Sequence, residues 1–330
     1  MENEIRNEAP FLEVKDLVVE YSSDDEIVHA INGVSFTLEK GRTLGLAGET
    51  GAGKTTIAKS ILRILPAVSA RVVSGEVLLE GKDLLKLHEK EMQRVRGNKI
   101  AMIFQDPMTA LNPVLTVGSQ ISEVIKEHNN VTPREADRRA AEMLELVGIN
   151  ADRFGEYPHQ FSGGMKQRVV IAIALACNPA LLLADEPTTA LDVTIQMQVL
   201  DLIRRLKDEL NTSMILITHD FGVVAEVCDD VAVVYAGEIV ESGTVEDIFT
   251  NPTHPYTQGL FGSIPRIDVK VRRLSTIGGL PPSPVDLPKG CHFSPRCPHA
   301  TDKCREGKIE MTELTPGHFC RCCNIKQEAK

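Results

Sequence analysis

The sequence predicts an α/β protein with a largely parallel central sheet. Apolar, β-branched runs alternate with helical patterns over most of the 330 residues, and a glycine-rich turn joins one such run to the helical pattern that follows it. Hydrophobic residues make up 42% of the chain and charged residues 25%, which is typical of a globular protein and too apolar for a disordered one.

Each predicted strand is a short apolar run. In chain order these runs are 12–21, 29–39, 42–49, 74–81, 99–105, 180–186, 213–219 and 230–237. Thr132 and Pro133, followed by Glu135, predict a capping box that opens a helix through about Val147. Asp192 is predicted to cap a further helix. The apolar face of that helix is formed by Ile195, Val199, Leu202 and Leu206.

The pattern changes near residue 261, where a Pro- and Gly-rich segment begins and cysteines follow it. We therefore predict a main domain at 1–260 and a small extension at 261–330. The longest apolar run, Val169–Cys177, is far shorter than the ~20 residues that cross a bilayer. The acidic start is unlike a signal peptide, so we expect a cytoplasmic protein. The net charge of −10 argues against nucleic acid as a partner.

The clearest chemical motif is the glycine-rich turn after the third predicted strand. It matches G-x-x-x-x-G-K-[ST] and precedes a helical pattern, which is the context that a phosphate-binding loop needs. Backbone N–H groups and the helix N-terminus would bind the phosphates, and Lys54 would neutralise them. Thr55 supplies a hydroxyl for Mg²⁺. The predicted nucleotide-binding residues are Gly48, Thr50, Gly51, Ala52, Gly53, Lys54, Thr55 and Thr56.

Two further motifs fit the same chemistry. An apolar strand ends in Asp185 and Glu186, where Asp185 would hold Mg²⁺ and Glu186 would deprotonate an attacking water. Ser162, Gly163 and Gly164 predict a capped helix start with exposed N–H groups, which suits an anion.

With these motifs the chain resembles the nucleotide-binding subunits of ABC transporters. The resemblance implies a P-loop NTPase (RecA-like) core with an antiparallel β subdomain and an α-helical subdomain at about 107–165. It makes Gln105 a Mg²⁺ contact that senses the γ-phosphate, and His219 a second γ-phosphate contact. Tyr21 would stack on adenine, and Ala190–Asp192 would form the D-loop. The signature normally has Gln where this chain has Met165, which leaves any contact by that side chain in doubt.

The resemblance is closest to the dipeptide/oligopeptide importer branch, through the stretches 105–113, 185–192, 251–257 and 290–298. It implies a second ATPase subunit, two membrane permeases and, indirectly, an external peptide-binding protein. It places the chain on the cytoplasmic face of the membrane. Nickel importers share much of the pattern and are the alternative. An ABC ATPase of DNA repair or translation is a different class, and those proteins usually carry two cassettes or a long coiled coil.

Six of the eight cysteines lie near the carboxyl end of the chain. Four thiolates on loops suit zinc or a [4Fe–4S] cluster, and the absence of tight C-x-x-C pairs favours iron–sulfur. Comparison with the peptide-importer pattern selects Cys291, Cys297, Cys304 and Cys322, although Cys320 or Cys323 could replace the last. Zinc and free thiols stay open as alternatives. The cluster would be structural or redox-sensing and is given no part in ATP hydrolysis.

Overall fold

The computed structural model describes residues 10–23, 26–189, 191–263 and 276–325. The strands within these residues are β1 (Leu12–Ser23), β2 (Glu26–Leu38), β3 (Thr43–Ala47), β4 (Ala70–Leu79), β5 (Lys82–Asp83), β6 (Ile100–Ile103), β7 (Leu181–Asp185), β8 (Ser213–Thr218), β9 (Asp230–Tyr235), β10 (Glu238–Thr244), β11 (Thr312–Thr315) and β12 (His318–Cys320). Each apolar run predicted as a strand overlaps an observed one, so the existence of those strands is confirmed, although β1, β2 and β4 extend beyond the predicted bounds.

The helices follow the same chain order. They are α1 (Lys54–Leu62), α2 (Glu89–Val95), α3 (Pro107–Ala110), α4 (Val117–His128), α5 (Pro133–Leu146), α6 (Gly163–Leu175), α7 (Val193–Glu209), α8 (Phe221–Val227), α9 (Val245–Thr250), α10 (Pro255–Gly262) and α11 (Lys303–Glu306). None of the described helices is both long and apolar enough to span a bilayer.

The chain folds into two compact units. The first contains Met1–Leu38, Leu44–Leu85 and Thr218–Lys330, and the second contains Glu39–Thr43 and Lys86–Ile217. The first unit has an antiparallel sheet in the order β2-β1-β4-β5. It also contains the strand run β11-β12-β10-β9-β3, in which β3 and β9 are parallel and the others are antiparallel.

The second unit combines a parallel set of strands with helices. Its strands run in the order β8-β7-β6, and all three are buried along their length. Strands buried on both faces read as continuous apolar runs, which is the pattern that the sequence shows there. The parallel arrangement brings the carboxyl ends of β6 and β7 to the same edge. The subdomain boundaries at 107 and 165, like the domain boundary at 260, stay predictions.

Two of the predicted helix starts are observed, with one difference in detail. The side chains of Thr132 and Asp192 each accept a hydrogen bond from the backbone three residues on, as N-cap residues do. Val199, Leu202 and Leu206 of α7 are buried as expected. Glu135, predicted to complete a capping box, instead accepts hydrogen bonds from Arg138 and from Arg139. Two guanidinium groups one turn along the helix compete with the backbone N–H for that carboxylate.

The carboxyl-terminal residues supply part of the apolar core of the first unit. Phe293 packs against Tyr235 of β9 and Tyr256 of α10, with ring centroids 5.3 and 5.4 Å away, and all three rings are buried. Burial of one such ring contributes about 2–3 kcal/mol to stability. The segment after residue 276 is therefore part of the folded core of this unit.

A buried histidine beside this core makes stability depend on pH. His254 caps α10, where its ring Nδ1 accepts from the Tyr256 backbone N–H at 3.1 Å. The backbone N–H of His254 donates to the Glu241 carboxylate. Burial, with the nearby Arg321, lowers the pKa of His254 from 6.5 to about 3. Between these values the unfolded chain binds a proton that the folded chain does not, so stability falls as the pH falls below about 6.5.

We expect His254→Asn to flatten this dependence, because Asn caps a helix and does not titrate. Between pH 7.5 and 5, the wild type should lose about 2 kcal/mol more unfolding free energy than the variant. Denaturant unfolding at both pH values measures the difference, with the exposed His159→Asn as control. A constant difference between the two proteins across this range would contradict the expectation.

Candidate functional site

The glycine-rich loop of the first unit has the backbone that a phosphate site requires. Gly48 has a φ of +148°, and a Cβ at this position would lie 2.2 Å from the Val234 carbonyl oxygen. Gly53 caps α1 with a φ of +106°, and no acidic residue lies in the first turn of the helix. The positive N-terminal end of α1 therefore faces the loop without a competing carboxylate in its first turn.

Lys54 and the threonines of α1 complete this loop. Lys54 is buried, and its Nζ donates to the carbonyls of Gly48 at 2.8 Å and Glu49 at 2.9 Å. These contacts hold the ammonium over the loop, where it can neutralise phosphate charge. Thr55 lies in the first helical turn. Tyr21 lies on β1 with its Oη 3.4 Å from the Thr56 Oγ1, so the aromatic ring predicted to stack on adenine reaches the same helix start.

The second unit brings the predicted catalytic carboxylate and glutamine together. Asp185 ends β7 and is 3% exposed, whereas Glu186 is half-buried just beyond the strand. The Gln105 Nε2 donates to the Glu186 Oε2 at 2.7 Å, and the Thr189 hydroxyl donates to the same oxygen at 3.0 Å. Two donors on one oxygen fix the direction of the carboxylate, and an oriented carboxylate is the kind of group that can act as a general base.

Glu186 also has an uncommon backbone conformation. Its φ is +45°, which a residue with a side chain adopts at a cost of about 1 kcal/mol. The Glu186 N–H donates to the Ile217 carbonyl at 2.9 Å, and the Thr189 N–H donates to the Glu186 carbonyl at 3.1 Å. These bonds maintain the strained residue and set the angle at which its side chain leaves the strand.

The predicted anion-binding helix start is present at α6. Ser162 is its N-cap and accepts from the Met165 N–H at 3.4 Å. Gly164 is required here because a Cβ would approach Ile195 of α7 to 2.7 Å. Met165, which departs from the signature pattern, accepts a hydrogen bond from Arg153 at 3.4 Å through its sulfur. Ser162 and Gly163 are exposed or half-exposed, so their polar groups are accessible.

The remaining predicted residues are placed as follows. His219 follows β8 directly, is exposed and belongs to the first unit, together with the phosphate loop. Ala190 of the predicted D-loop lies outside the described residues, and Asp192 serves as the N-cap of α7.

Two residues of the second unit without a predicted role also contribute. Thr189 orients Glu186, as described above. The buried Gln167 donates from its Nε2 to the Pro187 carbonyl at 2.6 Å, which ties α6 to the turn after Glu186. Gln167 lies five residues after Ser162, so its position in a motif was visible in the sequence. Its hydrogen-bond partner, the Pro187 carbonyl, could not be predicted from the sequence.

The structure does not assemble the cysteine site expected at Cys291, Cys297, Cys304 and Cys322. In the part of the chain that the structure describes, no group of three or more His, Cys, Asp or Glu side chains is arranged to hold a metal ion. The Cys304 Sγ lies 3.2 Å from the Sγ of Cys323. Burial raises the pKa of the Cys291 thiol to about 12, so without a metal this group keeps its proton at neutral pH.

Solved structures that share this fold are ATP-binding cassettes. A dimeric cassette in a post-hydrolysis state with ADP and Pi matches with a TM-score of 0.64 and 27% identity, over 71% of this chain and 98% of that one. A second dimeric structure of the same cassette, described as a bacterial ABC transporter cassette, matches with a TM-score of 0.63 and 28% identity, over 71% of this chain and 98% of that one. The fold, the phosphate loop and the oriented Glu186 thus define the class, an ABC ATPase cassette of the P-loop NTPase fold.

Sequence comparison identifies the family within this class of ATPases. Residues 31–189 match the ABC transporter family, and residues 240–304 match the oligopeptide/dipeptide transporter C-terminal region. An oligopeptide transport ATP-binding protein of Bacillus subtilis, AppD, is 48% identical over 96% of this chain and 97% of its own. A probable peptide ABC transporter ATP-binding protein of Sinorhizobium fredii is 51% identical over 94% of both chains. The chain belongs to the ABC transporter ATP-binding proteins that carry this C-terminal region.

Proposed function

We propose that this chain binds and hydrolyses ATP to power the import of dipeptides or oligopeptides through an ABC transporter. The observation that carries the proposal is the identity of about half of the residues, over nearly the whole chain, to peptide transport ATP-binding proteins. The match extends beyond the cassette into the oligopeptide/dipeptide C-terminal region, which general ABC ATPases have no need to share.

The site residues then take separate roles in hydrolysis. The phosphate loop and Lys54 bind the phosphates, and Tyr21 stacks on the adenine. Thr55, Asp185 and Gln105 carry the oxygen ligands that Mg²⁺ prefers, and the ion when bound neutralises charge on the phosphates. Glu186, whose carboxylate Gln105 and Thr189 orient, accepts the proton of the attacking water. His219 contacts the γ-phosphate.

A second ATPase subunit completes the arrangement. In this proposal Ser162, Gly163 and Gly164 of one subunit bind the ATP held by the phosphate loop of the other, so that ATP joins the two subunits and hydrolysis releases them. The accessible N-cap at Ser162 supports this role, because its donors point away from the helix body. Both solved structures of the related cassette described above are dimeric.

The membrane permeases are proposed to dock on the helical part of the second unit, at the cytoplasmic face of the membrane. An open groove of about 440 Å³ is lined by Leu115, Ser119, Glu123, Lys126 and Glu127. Val114, next to it, is 75% exposed. An apolar rim beside charged residues fits an amphipathic helix of a permease loop.

Reconstitution tests the substrate and the partners together. The chain is purified with its permeases and second ATPase subunit in lipid nanodiscs, and ATP hydrolysis is measured with the external binding protein loaded with peptide or with Ni²⁺. Stimulation by peptides and not by Ni²⁺ supports the proposal. Stimulation by Ni²⁺ alone would make the chain a nickel importer subunit, and full turnover of the soluble chain without permeases would contradict a transport role.

A metal centre at the cysteines is a separate proposal that rests on the resemblance to the importer branch. The close approach of the segments around Cys291 and Cys304, joined by a 2.8 Å backbone hydrogen bond, supports it. The 3.2 Å separation of Cys304 and Cys323 makes Cys323 the alternative fourth ligand. Anaerobically purified protein is expected to absorb near 400 nm, and Cys304→Ser is expected to lose that band. Colourless protein with stoichiometric zinc, or with no metal, would refute the iron–sulfur cluster.

A further inference from the structure

The second residue of the phosphate loop is contacted by the carboxyl-terminal segment. The guanidinium of Arg296 forms two hydrogen bonds to the Glu49 carboxylate, at 2.8 and 3.0 Å. The Arg296 side chain is only 5% exposed, and the Glu49 side chain is 28% exposed. A bidentate pair shielded from water in this way is stronger and more directional than an ordinary surface salt bridge.

The guanidinium itself is held in place by several other contacts. Its Nε donates to the Gly278 carbonyl at 3.0 Å, and one terminal nitrogen donates to the Tyr235 hydroxyl at 3.3 Å. It also lies 5.8 Å from the centroid of the Tyr235 ring and 5.9 Å from that of Phe293. Arg296 is therefore positioned before any nucleotide arrives, and it positions Glu49 in turn.

The backbone of Glu49 is held from two further directions. Its N–H donates to the hydroxyl of the fully buried Tyr256 at 2.9 Å. Its carbonyl accepts from the Nζ of Lys54 at 2.9 Å. Arg296 and Tyr256 both follow the cassette's last predicted strand, so this end of the chain fixes the side chain and the amide of a residue inside the nucleotide-binding motif.

We propose that Arg296 is a positioning residue for ATP binding, which shapes the phosphate loop through Glu49 and cancels its negative charge. The proposal rests on the ATPase function proposed above. A loop that would receive a triphosphate carries a carboxylate at its second position, and neighbouring like charges repel unless one is neutralised. Arg296 supplies the neutralising charge at the Glu49 carboxylate, whereas Lys54 contacts the Gly48 and Glu49 carbonyls.

Four variants test whether Arg296 acts by neutralising Glu49. Arg296→Gln should raise the Kd of MgATP, and the KM for hydrolysis, about tenfold, while kcat at saturating ATP stays within twofold. Glu49→Gln alone should raise the Kd less than Arg296→Gln does, because it removes the negative charge together with the pair. The double variant Arg296→Gln/Glu49→Gln should recover most of the lost affinity, because the carboxylate that Arg296 neutralises is no longer present. Arg296→Lys keeps the charge but loses the bidentate hydrogen bonding, so its Kd for MgATP should lie between those of the wild type and Arg296→Gln.

The full chain in its transporter complex is used throughout, with MgATP binding, steady-state hydrolysis and thermal unfolding measured on each variant. Arg305→Gln, at an exposed ion pair with Asp302 in the same segment, is the matched control and should behave as wild type. An unchanged Kd in Arg296→Gln overturns the proposal. So does a double variant as defective as Arg296→Gln, since the loss would then come from packing. Wild-type protein that does not bind MgATP would instead refute the proposed function.

Discussion

Glu186→Gln is expected to lower the rate of ATP hydrolysis by about 10²- to 10⁴-fold while ATP still binds. The amide keeps the shape of the side chain but cannot accept the proton of the attacking water. In the wild type, Gln105 and Thr189 both donate to one oxygen of this carboxylate, and the backbone at φ +45° sets its direction. With hydrolysis blocked, ATP should hold the two subunits together, so the variant should accumulate as an ATP-bound dimer.

Single-turnover hydrolysis and light scattering with and without ATP measure these two effects. Glu209→Gln removes an exposed carboxylate at the end of α7, where it forms a surface pair with Arg205, and serves as the control. Hydrolysis at the normal rate in Glu186→Gln would show that another group acts as the base.

Gly48→Ala is expected to weaken MgATP binding at least tenfold and to lower the unfolding free energy by about 1–3 kcal/mol. The new Cβ would lie 2.2 Å from the Val234 carbonyl oxygen. This oxygen belongs to the backbone of a central strand, which is packed too closely to move aside. The loop must therefore shift, and the N–H groups that bind phosphate shift with it. A φ of +148° adds strain that any side chain would suffer.

Isothermal titration with MgATP and denaturant unfolding check both quantities. Gly81→Ala is the matched control, because Gly81 also has a positive φ, +77°, in the turn between β4 and β5, but a Cβ there meets nothing within 4 Å. The control should lose about 1 kcal/mol of stability and no ATP affinity. Equal losses of affinity in the two variants would mean that the contact with Val234 is not what shapes the loop.

The parts of the site that could be predicted from sequence are those in which neighbouring residues do the chemistry together. The phosphate loop, the strand ending at Asp185 and the capped helix start at Ser162 are each contiguous, and local propensity agrees with the fold in all three. Gln105 and Glu186 are 81 positions apart, and only the resemblance to ABC subunits related them before the structure showed their 2.7 Å hydrogen bond.

The contacts that sequence reasoning missed are long-range and have no periodic signal. Arg296 lies among prolines and cysteines, where neither a 2- nor a 3.6-residue repeat exists, and its partner Glu49 is 247 positions earlier. Glu135 shows that a prediction from adjacent residues can also be wrong. A capping box was predicted from adjacent residues, but Arg138 and Arg139 bind the same carboxylate more strongly than the helix N-terminus does.

The tie between Glu49 and Arg296 has a consequence for how the protein is made. At about 5–20 residues per second, a ribosome takes roughly 12–50 s to extend the chain from one of these residues to the other. Throughout that interval the nascent polypeptide contains the nucleotide-binding motif but not Arg296, which pairs with Glu49 in the folded chain. If Arg296 positions the loop as proposed, a prematurely terminated product would contain the whole motif but bind ATP more weakly than the full chain.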